Sequence, residues 1–600
     1  MKKFWVIIVT LLILTVLVLR GLPYLINIYL NQNANRIVSN MITRTSNFGD
    51  HEVSFGDINL DYNYSGTFLK ISNIKVVPSA GLDEKRVKVN LSADQVNVTG
   101  FKWFPFLFQN TLSVDSATLN NVKIISSTPP LDSMRLEARK SKEKPSKKNS
   151  KDYDLIEVKT FMLNEFSIQV KNNLYDSVRI SLRDLNVQAK DFQLTKEDIE
   201  NPKSLFHVEK IHGEIYQAIF HFDDFRQYVE VRDIILDTEK KIMTFGYMGL
   251  LNKMEKYDYT SKFKERQGWL EIDKAEMEMR GVDFASYFRK GIVEVDTVFA
   301  KNLQLESFVD KRIPEDKMKR PQLIHQVFQN LKQVIHIEHL FLDKAYVGIE
   351  ERPENQSPRA GTLFFSDLNA HITNVSNYPE RRGENRTISI DAKGKLMGEG
   401  DIQAKIDFDL EDPGGKFTLK GTLGKMDLTK VNSMIEPEAK ARLKSGTISR
   451  MDFNILANEI EGSGELIVRY ENLEIELLNK NFEQDQNVLR KIGAFIANKV
   501  IIKSNNPNKR GDLKKGDVYF IREPHKSMFN YWWQLIFSGL KSTLTGESIE
   551  EMRQKEMEKR SGNTDSKKTV SSSSVKEKDD QKTLTGKEKR QARREKRDSN

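Results

Sequence analysis

Residues 401–412 read DIQAKIDFDLED. Ile402, Ala404, Ile406, Phe408 and Leu410 alternate with Gln403, Lys405, Asp407 and Asp409. Successive side chains of a strand point to opposite faces, so this stretch has one apolar face and one charged face. Leaving the apolar face in water forgoes roughly 1.5–3 kcal/mol for each large side chain. What covers that face decides the fold and, with it, the function.

The same alternation extends in both directions. The regular set is 387–478, where Met451, Phe453, Ile455 and Ala457 share one face, as do Ile460, Leu466, Val468 and Tyr470 of the strands that follow. Further strands are expected over 155–171, 177–195, 206–221, 227–237, 241–250, 268–281, 292–307, 334–350 and 361–375. Short strands are expected from residue 50, and a strand pair from Leu112 to Ile124. Between them Phe101, Trp103, Phe104, Phe106 and Phe108 surround Pro105 in a short helix or turn. Helical periodicity is confined to 196–203, 281–290, 315–333, 428–443 and 485–499. Strands that do not alternate with helices exclude a parallel α/β sheet and leave a mainly β chain. A loose phrase recurs in SVDSATLNNVKI (113–124), HVEKIHGEIYQAIF (207–220) and HIEHLFLDKAYVGI (336–349), as expected for similar rungs added in series.

Composition excludes several classes. The 600 residues are 38% hydrophobic and 30% charged, with net charge +9. Much of the excess base lies in RKSKEKPSKKNSKDY (139–153) and in the tail after Glu547, both of solvated, disordered type. The remainder is close to neutral, so nucleic acid is not an expected partner. There is no cysteine, which removes disulfides, thiolate metal sites and cysteine nucleophiles. At the N-terminus, Lys2 and Lys3 precede sixteen apolar or near-apolar residues, Phe4–Leu19, then Arg20 and a second apolar stretch to Leu30. Sixteen residues rise about 24 Å as helix, and with Arg20 snorkelling the segment can span a bilayer. The two lysines favour a cytoplasmic N-terminus and an exported body. No small-x-small cleavage site is evident, so a signal anchor is expected rather than a cleaved signal peptide.

Motifs for catalysis are lacking. His336 and His339 flank Glu338, but on an alternating strand His336 and Glu338 share a face and His339 points away. HFDDF (221–225) has no second cluster at a metal-binding spacing. GEGD (398–401) and GSG (462–464) read as turns or bulges rather than phosphate loops. No catalytic site, cofactor or metal is expected. REPHKSMFNYWWQLIFSGLKSTLTG (522–546) stands apart, with Phe529, Tyr531, Trp532, Trp533 and Phe537 crowded into one helix length. Such density suits a membrane interface or a protein groove, and equally a helix that plugs the end of the sheet.

The C-terminal third is specific. GTLGKMDLTKVNSMIEPEAKARLKSGTISRMDFNI (421–455), GSGELIVRYENLEIELL (462–478) and NPNKRGDLKKGDVYFIREPHKSMFNYWWQLIFSGLKSTL (506–544) resemble the AsmA-like proteins of Gram-negative bacteria, in the subgroup labelled domain of unknown function 748. ISNIKVV (71–77) and VNVTGFKWFPFLFQNTLSVDSATLNNVKI (96–124) resemble the opening of the same clan, which is related to bridge-like lipid-transfer proteins. The resemblance implies an anchor at 1–30, an N-terminal β region at 31–138, a basic linker at 139–153, a middle β groove at 154–385, a C-terminal β region with its aromatic helix at 386–546, and a disordered tail at 547–600. It implies a long, curved, mostly antiparallel sheet of roughly 25–30 strands, about 120–145 Å long at about 4.8 Å per strand. It further implies a bacterial inner-membrane protein with a periplasmic body that supports outer-membrane lipid homeostasis. Its partners would be membrane lipids, phospholipid above all, and an outer-membrane or envelope protein. Ile402, Ala404, Ile406, Phe408, Leu410, Phe453, Ile455, Leu466 and Val468 would then line a groove for acyl chains. Pattern alone favours another outcome, closed β-sandwiches in a non-enzymatic envelope scaffold, because most half-apolar sheets pack on a second sheet.

Overall fold

The structure, a computed structural model, describes residues 26–34, 36, 51–63, 66–81, 87–128, 153–172, 177–200, 208–222, 226–355, 357–378, 380, 386–478 and 503–558. The expected span at 4–19, the basic run 139–152, the helix at 485–499 and the tail beyond 558 lie outside them. Among the described residues no helix is long and apolar enough to cross a membrane.

Among the described residues the chain is mainly β and forms one 23-stranded sheet. In chain order the strands are β1 (His51–Ser54), β2 (Ile58–Asn63), β3 (Gly66–Pro78), β4 (Lys88–Thr99), β5 (Thr111–Thr128), β6 (Leu155–Asn172), β7 (Ser177–Thr195), β8 (Lys210–His221), β9 (Gln227–Asp237), β10 (Ile242–Asn252), β11 (Gly268–Arg280) and β12 (Ile292–Lys301). There follow β13 (Gln304–Asp310), β14 (Val334–Arg352), β15 (Gly361–Ser376), β16 (Thr387–Leu396), β17 (Gly400–Asp409), β18 (Phe417–Leu423), β19 (Met426–Asp427), β20 (Ala441–Ala457), β21 (Glu461–Leu477), β22 (Lys503–Asn506) and β23 (Gly516–Ile521). Four positions are each filled by two short strands in line: β1 and β2 on β3, β12 and β13 between β11 and β14, β18 and β19 on β20, β22 and β23 on β21. The 23 strands therefore make 19 rungs, about 86 Å from end to end at 4.8 Å per rung. That is shorter than the length expected from sequence, because the long strands each add width rather than length.

Pairing is antiparallel except at β5–β6, β12–β14 and β13–β14. A parallel step needs a crossover of a dozen residues or more. The connections 129–154 and 311–333 supply them, so the basic run at 139–153 falls within the first crossover.

The recurring phrase has a structural cause. Leu119 and Val122, Ile215 and Ala218, and Leu342 and Ala345 pair with apolar residues of the same face although three residues apart. Two residues between them bulge to the other face. Such bulges carry left-handed residues: Asn73, Asn121, Glu165, Asp184, Asp233, Lys274 and Lys344 all have φ between 49° and 57°. Asn and Asp tolerate that conformation better than most side chains, and bulges bend a strand and sharpen its twist. Rows such as β7 to β10 hold the bulge in register from strand to strand, which curves the sheet along a line.

The helices are short: α1 (26–34), α2 (Trp103–Phe108), α3 (Lys196–Glu200), α4 (Lys256–Ser261), α5 (Phe284–Lys290), α6 (Ile324–Gln329), α7 (Asn432–Ala439), α8 (Met528–Thr545) and α9 (549–558). The expected helix at 315–333 shrinks to α6, since Pro321 excludes the preceding turn from a continuous helix. Ser527 caps α8, its Oγ accepting from Asn530 N–H, and Gly546 ends it at φ 77°. The residues after Glu547 were expected to be unstructured, but α9 follows, with Met552 buried against Tyr519 and Ile521.

At each edge of the sheet a helix caps one strand in the same way, β2 at one edge and β23 at the other. Asn31 Nδ2 donates to Leu60 C=O (2.8 Å), Leu60 N–H donates to Asn31 Oδ1 (3.0 Å), and Asn27 bonds Tyr62 likewise through both its amide groups. At the far edge Asp517 N–H donates to Ser542 Oγ (2.9 Å) and Tyr519 N–H to Ser538 Oγ (3.2 Å). Four residues of helix rise about 6 Å and two of strand about 6.6 Å, so polar side chains four apart meet alternate groups of an edge strand. Open strand edges invite pairing with other chains, and these caps occupy that position along β2 and β23.

Candidate functional site

One register row can be followed through every rung. It runs Ile58, Ile71, Val96, Leu119, Leu163, Val187, Gly213, Leu236, Met243, Met279, Val298, Leu340, Ile372, Ile390, Ile406, Leu419, Ile455, Gly464, Val518. Every member is aliphatic, methionine or glycine. The adjacent row, on the other face, includes Lys70, Asn97, Gln188, His212, Asp237, Arg280, Thr297, His339, Ser389 and Asp407. The sheet thus keeps one apolar row unbroken over its whole length, with a mostly polar row behind it in which Met162, Ile242 and Leu456 are the apolar members.

Cover on that face is uneven. From Leu163 to Leu340 most of the row is half-buried, as are Leu182, Leu185, Ile215, Phe245 and Leu250 beside it. Phe220 on the same face is 44% exposed. Toward β6 to β9 the strands pack with their ladder neighbours, in clusters such as Ala218, Val231 and Ile234 with Ile215, Phe245 and Met248, whereas Leu236, Met243, Met279, Val298 and Leu340 also pack with Phe284 and Phe288 of α5. All described strands belong to this one sheet, so no separate sheet covers the trough. A partly exposed aliphatic side chain keeps only a minor part of its roughly 1.5–3 kcal/mol of burial energy unspent.

The C-terminal end is closed. Helix α8 lies on β21 and β23, close enough that a Cβ on Gly516 would stand 2.1 Å from Gly539 C=O. Tyr531 and Leu535 join Phe408, Phe417, Ile455, Leu466 and Val468 in a core. Phe408 is 0% exposed, 5.6 Å from the Phe417 ring and 5.1 Å from the His325 ring. Burial pushes the His325 imidazole below its ordinary pKa, so it is held neutral there.

This corrects the lining expected from sequence. Ile406, Phe408, Leu410, Phe453, Ile455, Leu466 and Val468 are buried among protein side chains, and only Ile402 and Ala404 of that set are half-buried. Alternation placed them on the right face but carried no information on the helix, sixty residues and more downstream, that roofs them. The less buried part of this face lies instead on β6 to β10, where the sequence pattern is less regular because bulges interrupt it. The aromatic segment divides as well. Tyr531 faces the core, Trp532 is half-buried, and Phe529, Trp533 and Phe537 form an exposed stripe at four-residue spacing.

His339 also differs from expectation. Ile337 and Leu340 both enter the apolar cluster, so Glu338 and His339 both lie outside it. His339 Nδ1 stands 3.1 Å from His371 Nε2, while His336 and Glu338 line a small cavity with Lys241, Asp283, Glu294 and Asp296. No grouping of three or more metal-ligating side chains occurs among the described residues. On the outer face Tyr247 is raised above its ordinary pKa by burial and by its hydrogen bond to Asp273 (2.7 Å), under the Arg232 guanidinium 3.9 Å from its ring.

No protein-family model matches the chain, and no curated protein is significantly similar to it. The reading of its function therefore rests on the residues and on the sheet they build.

Proposed function

We propose that the chain is a membrane-anchored, non-enzymatic conduit in which acyl chains of phospholipids lie along the apolar trough while their head groups stay in water. The observation that carries this reading is the unbroken apolar row, partly exposed at Leu163 and Val187 and at Phe220 beside it, with a mostly polar row on the opposite face. A protein core of that composition is ordinarily covered. An uncovered apolar strip needs an apolar occupant, and a lipid tail is a linear one. Passage is passive: a tail moves between equivalent rungs, and its direction follows a gradient or a partner. The resemblance to AsmA-like proteins and the apolar N-terminal segment favour a bacterial inner-membrane anchor, a periplasmic body and a role in outer-membrane lipid homeostasis.

A photo-crosslinking residue at Phe220, with Ile219 on the opposite face as control, tests the reading in cells. Lipid adducts at 220 and none at 219 are expected by mass spectrometry. Adducts only to protein, from 220 to distant strands, would mean a closed core and would favour the scaffold reading.

A further inference from the structure

Helix α2 presents two different faces. Inward, Phe101, Trp103 and Phe106 form an edge-on trio with centroids 4.7, 5.3 and 6.2 Å apart, over Val114 and Val158. Trp103 Nε1–H donates to Thr67 Oγ1 (2.7 Å), which locks the helix to the end of the β2–β3 hairpin. Outward, Phe104 is 64% exposed, Leu107 62% and Phe108 74%, with the rings of Phe104 and Phe108 5.1 Å apart. The fold does not use these three side chains, and Lys102 beside them is exposed.

The position of α1 identifies what they meet. Asn27 bonds Tyr62 and Asn31 bonds Leu60, so the first residues of α1 sit at the hairpin end of β2. Thr67 and Gly66 at that end touch α2 and the residue pair before it: a Cβ on Gly66 would lie 3.1 Å from Gly100 Cα. Residue 26, where the described helix begins, therefore lies at the same end of the sheet as α2. In the sequence, the apolar stretch Phe4–Leu19 comes shortly before it.

We infer that the outer face of α2 is a second membrane contact, seated in the interfacial zone of the same phospholipid bilayer that the N-terminal segment enters. The inference rests on the anchored reading above. Exposed aromatic and leucine side chains beside a lysine match that zone, where rings and aliphatic side chains enter the acyl boundary and cations meet phosphate. Two attachment points, the anchor and α2, hold the first rungs against the membrane, which brings the open trough to its lipid source.

The chain lacks cysteine, so Phe108→Cys gives a unique site for an environment-sensitive fluorophore in the full-length protein, with Lys420→Cys on the outer face as control. The protein is reconstituted into vesicles of phosphatidylethanolamine and phosphatidylglycerol and floated on a density gradient. The expected result is a blue-shifted probe at 108, quenched by doxyl-labelled lipid and shielded from iodide, with the reverse at 420. The exposed pair Phe104→Ser and Leu107→Ser should abolish the quenching at 108 while flotation persists. Flotation with a water-exposed probe at 108 overturns the second contact and leaves the anchor standing. Shielding from iodide without lipid quenching overturns it too, in favour of a second copy of the chain on that patch. Failure to float overturns the anchored reading and this inference together.

Discussion

A carboxylate placed in the middle of the trough should stop lipid movement without unfolding the sheet. Phe245 is the position of choice: it is half-buried on the apolar face, directly between Ile234 of β9 and Met277 of β11. A tail passing this rung must cross an aspartate at Phe245→Asp. The cost of a charged side chain in an acyl environment is about 2.5–3.5 kcal/mol, which corresponds to roughly a hundredfold slower passage. Snorkelling lowers that figure for long side chains, and aspartate is too short to reach the trough rim by that route. The control is Thr244→Asp, one residue away on the opposite face, opposite Ile235 and Glu278. Transfer of a fluorescent phospholipid between donor and acceptor vesicles is measured with each full-length variant, alongside circular dichroism and thermal melting. Phe245→Asp should lose transfer and keep its β signature, while Thr244→Asp transfers normally. Equal transfer by both variants would refute the conduit, because no tail could then be using this rung.

Three further outcomes follow from the local geometry. Asn31→Ala removes both hydrogen bonds to Leu60, which should cost roughly 1–3 kcal/mol locally and accelerate amide exchange at Leu60; unchanged exchange would show that the edge is protected in another way. Asn121 holds φ at 49° and its Nδ2 donates to Asp94 Oδ2 (2.7 Å), a bond that both variants lose, so Asn121→Val should be less stable than Asn121→Gly by roughly 1–2 kcal/mol in urea titrations; equal losses would exclude backbone strain as the cause. The Arg312 side chain, donating from Nε (2.9 Å) and Nη2 (2.6 Å), holds the Asp310 carboxyl below the ordinary carboxylate range. A depressed folded value gives stability that is present above the unfolded value, about 3.9, and is lost as pH falls below it through the folded value. Asp310→Asn should therefore be less stable than wild type at neutral pH and indistinguishable from it once both forms are protonated, as urea midpoints at the two pH values would register.

Alternation of side chains is a consequence of backbone geometry within a few residues, so it is legible without any fold. From it alone came the mainly β class, most of the strands, and the correct face for Ile402 to Leu410. The repeated phrase was legible too, although its meaning was not: only the register of neighbouring strands shows that Leu119-Asn-Asn-Val122 and its counterparts are bulges that bend the sheet. The site itself was half legible. Period two says which residues share a face, and the partner of that face is set by contacts between residues far apart in the chain. Gly516 against Gly539 lets α8 close the trough over Phe408, and Asn27 and Ser542 end the ladder at its two edges. No local pattern encodes those meetings, because they depend on where the nineteenth rung brings the chain. The sequence by itself determined an apolar face running through the strands; the tertiary structure decided that its C-terminal end is fully buried core and its middle only partly covered.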